Sequence, residues 1–568
     1  MRACRALLAV VVLLTATVAG RPLRAADVEA DVVVYGATAT GLAAAIQSTR
    51  MGHTAVVVEA SDHVGGMTTG GLSSSDVGKA WSIGGVASEF YARVGRVYGP
   101  EERAAFGSDE RVFHFEPKVA RAVFDAWLRE AGVEVITNEP LDLAAGVVKK
   151  DGRIESIRSV GGRVFRGRVF IDASFEGDVM AKAGISYTVG REPESRYGES
   201  LAGLRLGDRK PRPHYTQGDK DHFTTAVDPY VTPGDPASGL LPWVNKVDLA
   251  TFVNGTGDEG LQAYNYRLCV TDDPANRIPF GKPEGYREID HELLLRVLES
   301  GDVRLPILIH KLPNRKFDWN SMHAVGTDLP GANWGYPEAD HAERARIAAV
   351  HALYAKGVMW TLAYHPRVPE SIREVVSQHG WCKDEFPARG GFSPQLYVRE
   401  GRRMLADAVV TQGVCMGKEP CEDPVALGSF GLDSHAVQYF VNEQGHVHRE
   451  GVFWLVPPKP YGISWRAIRP KREECTNLLV PTCVSASHAA YGSLRMEPVY
   501  MALGQAAGTA AAFAIEAGSD VQDVPYAKLR ERLLADGAKL SGKAPPSKPG
   551  GKADDNPKPV KLDAAPRP

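Results

Sequence analysis

The chain has 568 residues with 66 Lys+Arg against 69 Asp+Glu, a net charge of −3, so there is no basic excess to hold a nucleic acid backbone. Its length and 44 % hydrophobic content allow two or more domains with large cores, and 58 glycines and 38 prolines suit a loop-rich enzyme.

Arg2 and Arg5 precede an apolar run from Leu7 to Val18, and small residues follow at Ala19-Gly20 and Ala25-Ala26. This is the layout of a secretory signal peptide, set at 1–26, and it predicts a periplasmic or extracellular protein with no membrane span after signal removal. No cysteine sits at a lipidation position and no adjacent Arg pair is present, so neither a lipid anchor nor twin-arginine export is indicated.

Asp31 to Glu59, DVVVYGATATGLAAAIQSTRMGHTAVVVE, reads as a strand–helix–strand unit. Val32 to Tyr35 is a buried strand, Leu42 to Ser48 a helix, and Ala55 to Val58 a second strand ending in Glu59. Gly36 and Gly41 hold two positions of a dinucleotide fingerprint, and Thr38 stands where the third glycine is usual. Helix-start N–H groups favour a pyrophosphate, and an acid at the second strand tip suits ribose hydroxyls. The spacing favours a dinucleotide site, and the alternative for the turn alone is any tight strand–turn–helix of an α/β protein.

Two glycine pairs follow, Gly65-Gly66 and Gly70-Gly71, around Met67. Such a loop lets the backbone lie flat against a planar ligand or phosphate, and its place after the ribose acid favours FAD over NAD. A helix is predicted for Val86 to Val94 and another for Lys118 to Ala131, then a strand at Val133 to Ile136 and a hairpin or meander from Gly146 to Val169. Val169 to Ser174 is a buried strand, with Asp172 leading into the acidic turn Glu176-Gly177-Asp178.

From Tyr187 to about Pro470 no strand–helix–strand repetition is visible, and seven of the nine tryptophans fall there, most of them expected in the core. Glu474 to Phe513 returns to the first style, with a strand at Asn477 to Val480 and a helix opened by Glu497-Pro498 whose stripe is almost all Ala and Gly. Residues 541–568 are Pro/Lys-rich and are expected to be disordered. Cys415 and Cys421 are close enough to close a small disulfide loop, and no CxxC or other metal motif occurs.

The stretches DVVVYGATATG, VGGMTTGGL, FEPKVARAVFDAWLREAGV, VFIDASFEGD and LLVPTCVSASHAAYGSLRMEPVYMALGQAAGTAA resemble FAD-dependent oxidoreductases with a glutathione-reductase-type Rossmann domain. The related group includes the flavin module of heterodisulfide reductase, and the middle of the chain resembles its exported bacterial members. Thr38 is usual in that group. The heterodisulfide reductase relatives also hold [4Fe–4S] clusters, whose cysteine motifs this sequence lacks.

The resemblance implies an α/β fold: a three-layer Rossmann-like FAD-binding domain, parallel sheet plus β-meander, from 27–184 and 474–525, with a mixed α+β substrate or cap domain inserted at 185–473. It implies FAD bound by Gly36, Thr38, Gly41, Glu59, Gly65, Gly66 and Met67, with Asp172 and Glu497 near the cofactor and no metal. Hydride or electron transfer would then link the flavin to a small polar substrate, such as a sugar derivative, and to an unknown electron acceptor. Candidates for the base and for the balancing cation are His488 and Arg495, then His435 and Arg399. Arg399 and Arg403, at i and i+4, predict one helix face suited to a carboxylate or sulfate. The alternative reading is a carbohydrate-binding or lyase-type protein with a structural nucleotide site.

Overall fold

The structure is a computed structural model that describes residues 26–205 and 223–542. The leader through residue 25 and the tail from 543 lie outside them. In chain order the first unit comprises β1 (Val28–Tyr35), α1 (Ala39–Arg50), β2 (Ala55–Val58), α2 (Pro117–Ala131), β3 (Glu134–Ile136), β4 (Val147–Lys150), β5 (Arg153–Arg158) and β6 (Val164–Asp172). It is completed from the far end of the chain by β7 (Leu478–Leu479) and α3 (Glu497–Ala517).

These strands form one seven-stranded sheet in the order β3-β2-β1-β6-β5-β4, with β7 added beside β6. Val32 pairs with Ala55 on one side and Val169 on the other, both parallel, and β4, β5 and β6 continue as an antiparallel meander. Helices α1 and α3 pack on the Val32 and Val34 face of the parallel part, and meander residues Ile154 and Ile157 with Val179 and Met180 pack on the Val33 face, which is why all three valines are fully buried and β1 reads as an unbroken apolar run. β6 divides its partners: Phe165 pairs with Ile157 of the meander, while Phe170 and Ile171 pair with β7. The carboxyl end of β6 therefore brings the last third of the chain against the turn after β1, at the sheet edge where open α/β sheets bind ligands.

The small-residue stripe of α3 is explained by α1. A Cβ on Gly504 would lie 2.2 Å from the Thr40 carbonyl oxygen, and one on Gly508 would lie 2.4 Å from that of Ala44. The two helices touch backbone to backbone, and only glycine fits at the crossing. By length and composition α3 could cross a membrane, but 94 % of its apolar window is buried inside the fold.

The middle of the chain forms a five-stranded antiparallel sheet, in the order 277–279, 380–382, 268–271, 316–321, 307–312. The helices His341–Tyr364 and Glu292–Glu299 supply Val358, Met359 and Leu295 to a second core around Trp319, which also takes in Met67, Leu72 and Tyr500 from the ends of the chain. Trp319 and Trp381 are thus core residues, as the sequence suggested.

Two expectations are corrected. Arg399 and Arg403 do not share a helix: residues 398–402 are irregular, and Arg403–Met404 is a short strand paired with Tyr187–Thr188. Separate carboxylates draw the arginines apart, Asp328 for Arg399 and Glu192 and Glu400 for Arg403. Cys415 and Cys421 are both free thiols. Cys415 is fully buried beside Tyr461, whereas the Cys421 sulfur packs near Gly462 on the adjoining strand.

Candidate active site

The turn after β1 is shaped by its glycines. Gly36 has φ +102°, and a Cβ there would stand 2.6 Å from the Ser174 nitrogen; a Cβ on Gly41 would stand 2.0 Å from the Gly36 carbonyl oxygen. Thr38 has φ −73°, so its position needs no glycine. Its hydroxyl accepts from the Gly41 N–H at 3.2 Å, capping α1, and donates to the Ala173 carbonyl at 2.8 Å, tying the turn to the end of β6. Glu59 accepts from the Ala37 N–H at 2.7 Å and from the Ser61 N–H and hydroxyl, and burial raises its pKa. Gly65, at φ +103°, donates to the Ala37 carbonyl at 2.6 Å, which lays the second glycine loop along the first turn. The Thr40 hydroxyl is buried here without a partner. Backbone donors, glycines that no side chain could replace and an acid at the β2 tip fit a dinucleotide.

Asp172 and Glu497 flank that region. Asp172 is fully buried and accepts from the Ser174 hydroxyl and the Met180 N–H, so it fixes the acidic turn; burial pushes its pKa up to about 6. Glu497, at the first turn of α3, accepts from the Thr68 hydroxyl, and burial pushes its pKa up to about 7. The glycine loop and the start of α3 are thereby joined directly. Met67 is completely buried beneath them.

Beyond the loop a cavity of about 290 Å³ opens beside the five-stranded sheet. Ser74, Ser75 and Asp76 enter it from the glycine-loop side, Arg267 and His310 from the antiparallel sheet, Asp433 and His435 from the segment after 430, and Arg495 from the turn before α3. Arg267 is clamped by Asp318 at 2.9 and 2.6 Å, and Arg495 donates to Asp433 at 2.9 Å and to the Tyr397 hydroxyl at 2.6 Å. Burial lowers the His114 pKa to about 4 and the His310 pKa to about 3, the latter helped by Arg267, so both rings are neutral. Burial raises the Asp76 carboxyl, with Arg267 and Arg495 opposing it.

The sequence-derived candidates separate in space. Arg495 and His435 line the cavity. His435 places Nδ1 2.6 Å from Asp328 and Nε2 3.4 Å from Asp433, so both ring nitrogens face carboxylates. Arg399 is fully buried, bonded to Asp328 at 3.0 Å and to the Ala263 carbonyl, and does not line the cavity. His488 does not line it either: its Nδ1 lies 2.8 Å from Glu400, in a network with Arg403 and Glu192. Asp76, Arg267 and His310 were missed by the sequence reading. Asp76 could have been found from GGLSSSD, because it follows the second glycine pair by five residues; His310 carries no comparable signal.

Among proteins already classified, the sequence profile of the family described as FAD dependent oxidoreductase matches residues 31–533. No curated protein matches the chain. Among solved structures, the OxyS anhydrotetracycline hydroxylase from Streptomyces rimosus is 16 % identical over 29 % of this chain and 36 % of its own, with a TM-score of 0.21. A 3-ketosteroid-delta4-(5alpha)-dehydrogenase from Rhodococcus jostii is 18 % identical over 28 % and 48 %, with a TM-score of 0.19. An L-proline dehydrogenase from P. horikoshii is 14 % identical over 29 % and 59 %, with a TM-score of 0.20. The match spans about a third to three-fifths of the length of these three proteins.

Proposed function

The chain belongs to the FAD dependent oxidoreductase family, and from that premise we propose that it moves hydride or electrons between a small polar substrate in the 290 Å³ cavity and bound FAD. It is an FAD-dependent oxidoreductase with a Rossmann-like fold. The bound flavin supplies the two-electron chemistry. The residues that would hold the dinucleotide are Gly36, Thr38 and Gly41 at the pyrophosphate, Glu59 at the ribose, and Gly65, Gly66 and Met67 along the loop, with Glu497 at the start of α3. Asp172 supports them by fixing the turn after β6.

The observation that carries the substrate side is the cavity itself. It is walled on one side by the glycine-loop continuation, Ser74 to Asp76, and by Arg495 two residues before Glu497. The substrate would therefore sit beside the segments that would frame the cofactor. There Arg495 and Arg267 orient polar groups, and the surrounding walls limit water. On the signal-like leader we place the enzyme outside the cytoplasm, acting on a small molecule with an electron acceptor of that compartment, and we group it with the exported relatives of the heterodisulfide reductase flavin module. Domain limits of 27–184 with 474–525, and 185–473 between them, belong to the same reading.

Anaerobic mixing of the FAD-loaded protein with panels of sugars, sugar acids, amino acids and hydroxy acids tests this. One class should bleach the flavin absorbance. Polysaccharide depolymerisation with the flavin still oxidised would contradict it.

A further inference from the structure

Two of the three guanidinium groups that line the cavity are already engaged by carboxylates. Asp76, Asp328 and Asp433 line it against Arg267, Arg449 and Arg495. Asp318 occupies Arg267, Asp433 occupies Arg495, and Asp328 is shared by Arg399 and His435. A negatively charged substrate at Arg267 or Arg495 would have to prise the guanidinium from its carboxylate, which leaves that carboxylate uncompensated. A neutral hydroxylated molecule needs only the hydrogen-bonding capacity that remains. The cavity lining supplies it through the polar side chains of Ser74, Ser75, Asp76 and Asn320. An apolar wall stands beside them, where Phe430 and Trp454 meet edge to face at 5.2 Å. A polar floor with an aromatic wall suits the C–H and O–H faces of a sugar ring.

Of the three lining carboxylates, Asp76 alone accepts no hydrogen bond among the described residues; burial raises its pKa, and the Arg267 and Arg495 charges oppose that. His435 cannot replace it as a base, because both of its nitrogens face carboxylates.

We propose that the cavity takes an uncharged polyhydroxylated substrate, a sugar or sugar alcohol, and that Asp76 is the base for the hydroxyl being oxidised. The proposal rests on the flavin-oxidoreductase reading above. In the step, the substrate O–H bond breaks and its proton goes to the Asp76 carboxylate. The C–H bond on the same carbon breaks, and its hydride, with the electron pair, goes to the oxidised flavin. A C=O bond forms, so the product is an aldehyde, ketone or lactone. Burial makes the Asp76 carboxylate a better proton acceptor than an exposed aspartate.

The test titrates the FAD-loaded protein with D-glucose, D-galactose, D-mannitol, D-glucuronate and succinate. It reads tryptophan fluorescence for binding and flavin absorbance for reduction. A neutral sugar or polyol should bind about ten-fold more tightly than glucuronate or succinate, and Trp454→Phe should remove most of its fluorescence change. Asp76→Asn should slow flavin bleaching about a hundred-fold or more, leave the neutral ligand's Kd within about three-fold, and leave reduction by dithionite intact. Asp76→Glu should recover part of the rate, which a folding defect would not allow. Tighter binding of glucuronate or succinate overturns the substrate class, and wild-type bleaching in Asp76→Asn overturns the base. If only amino or hydroxy acids bleach the flavin, the sugar assignment falls and the oxidoreductase reading stands. If the protein takes up no FAD, that reading falls, while the fluorescence titration still decides the ligand class.

Discussion

At the level of single residues, Thr38 shows how a departure from a motif can be a fit to it. The threonine hydroxyl caps α1 and anchors the turn to Ala173, work that a glycine could not do. Glu497 makes a sharper prediction. Its carboxyl is buried with one hydroxyl donor, and its pKa of about 7 lies above the ordinary value of 4.5. A raised folded-state pKa means that its contribution to stability is complete below pH 4.5 and is lost as the pH rises through 7. Glu497→Gln keeps an oxygen for Thr68 and never ionises. The variant should therefore match wild type near pH 5 and exceed it by up to ~3 kcal/mol at pH 8, in urea unfolding of the apoprotein. An advantage independent of pH would show that the carboxyl does not titrate in this range. Histidine candidates were the least legible residues in the sequence. His488 sits one motif away from Arg495, yet it turns into the Glu400 network, and no local pattern distinguishes a histidine that faces a cavity from one that does not.

At the level of elements, both ends of the Rossmann-like unit could be read from sequence, because apolar strand runs and glycine turns are local signals. The helix expected at Leu42 to Ser48 spans Ala39–Arg50, and the one expected from Glu497 runs to Ala517. The Ala/Gly stripe also announced close packing, and its partner at Gly504 and Gly508 is the α1 backbone. Gly504→Ala should cost ~2–3 kcal/mol, because a methyl 2.2 Å from the Thr40 carbonyl must separate two helices that pack over their whole contact. The same shift should weaken FAD retention, since α1 carries the fingerprint turn. Thermal unfolding with and without added FAD would show both effects, and Ala502→Ser, on the more exposed face, should show neither. The cavity was not legible, because its walls come from residues 74–76, 267, 310, 433–435 and 495, segments far apart in the chain that only the tertiary fold brings together. The Arg399–Arg403 helix failed for a related reason: buried carboxylates, Asp328 and Glu192 from two other segments and Glu400 from within the stretch, outweigh local spacing.

At the level of the whole molecule, burial of ionisable groups should set the response to pH. His63, His114, His291 and His351 are held down at about 4, and His310 at about 3, chiefly by burial. A depressed histidine stabilises the fold fully above pH 6.5 and loses that contribution as the pH falls towards its folded value, at ~3 kcal/mol each in full. Glu385 and Glu497, at about 7, and Asp172, at about 6, act the other way, gaining as the pH falls from 7 to 4.5. Five histidines displaced by at least as much as the three acids should prevail, so the Tm should fall between pH 6.5 and pH 4.5. A Tm that rises over that interval would mean that the histidines are more solvated than the packing shows.

The assembly from both chain ends has one consequence that outranks the rest. Gly36, Thr38 and Glu59 come from the first sixty residues and Glu497 from the last seventy-five, and in the proposed function they would together frame one cofactor site. The most direct measurement is the absorption spectrum of the purified protein, with free FAD removed, before and after anaerobic addition of a neutral sugar panel. The expected result is a yellow protein with about one FAD per chain, bleached by at least one member of the panel and restored by an electron acceptor. A colourless protein that takes up no FAD on refolding or reconstitution would contradict it.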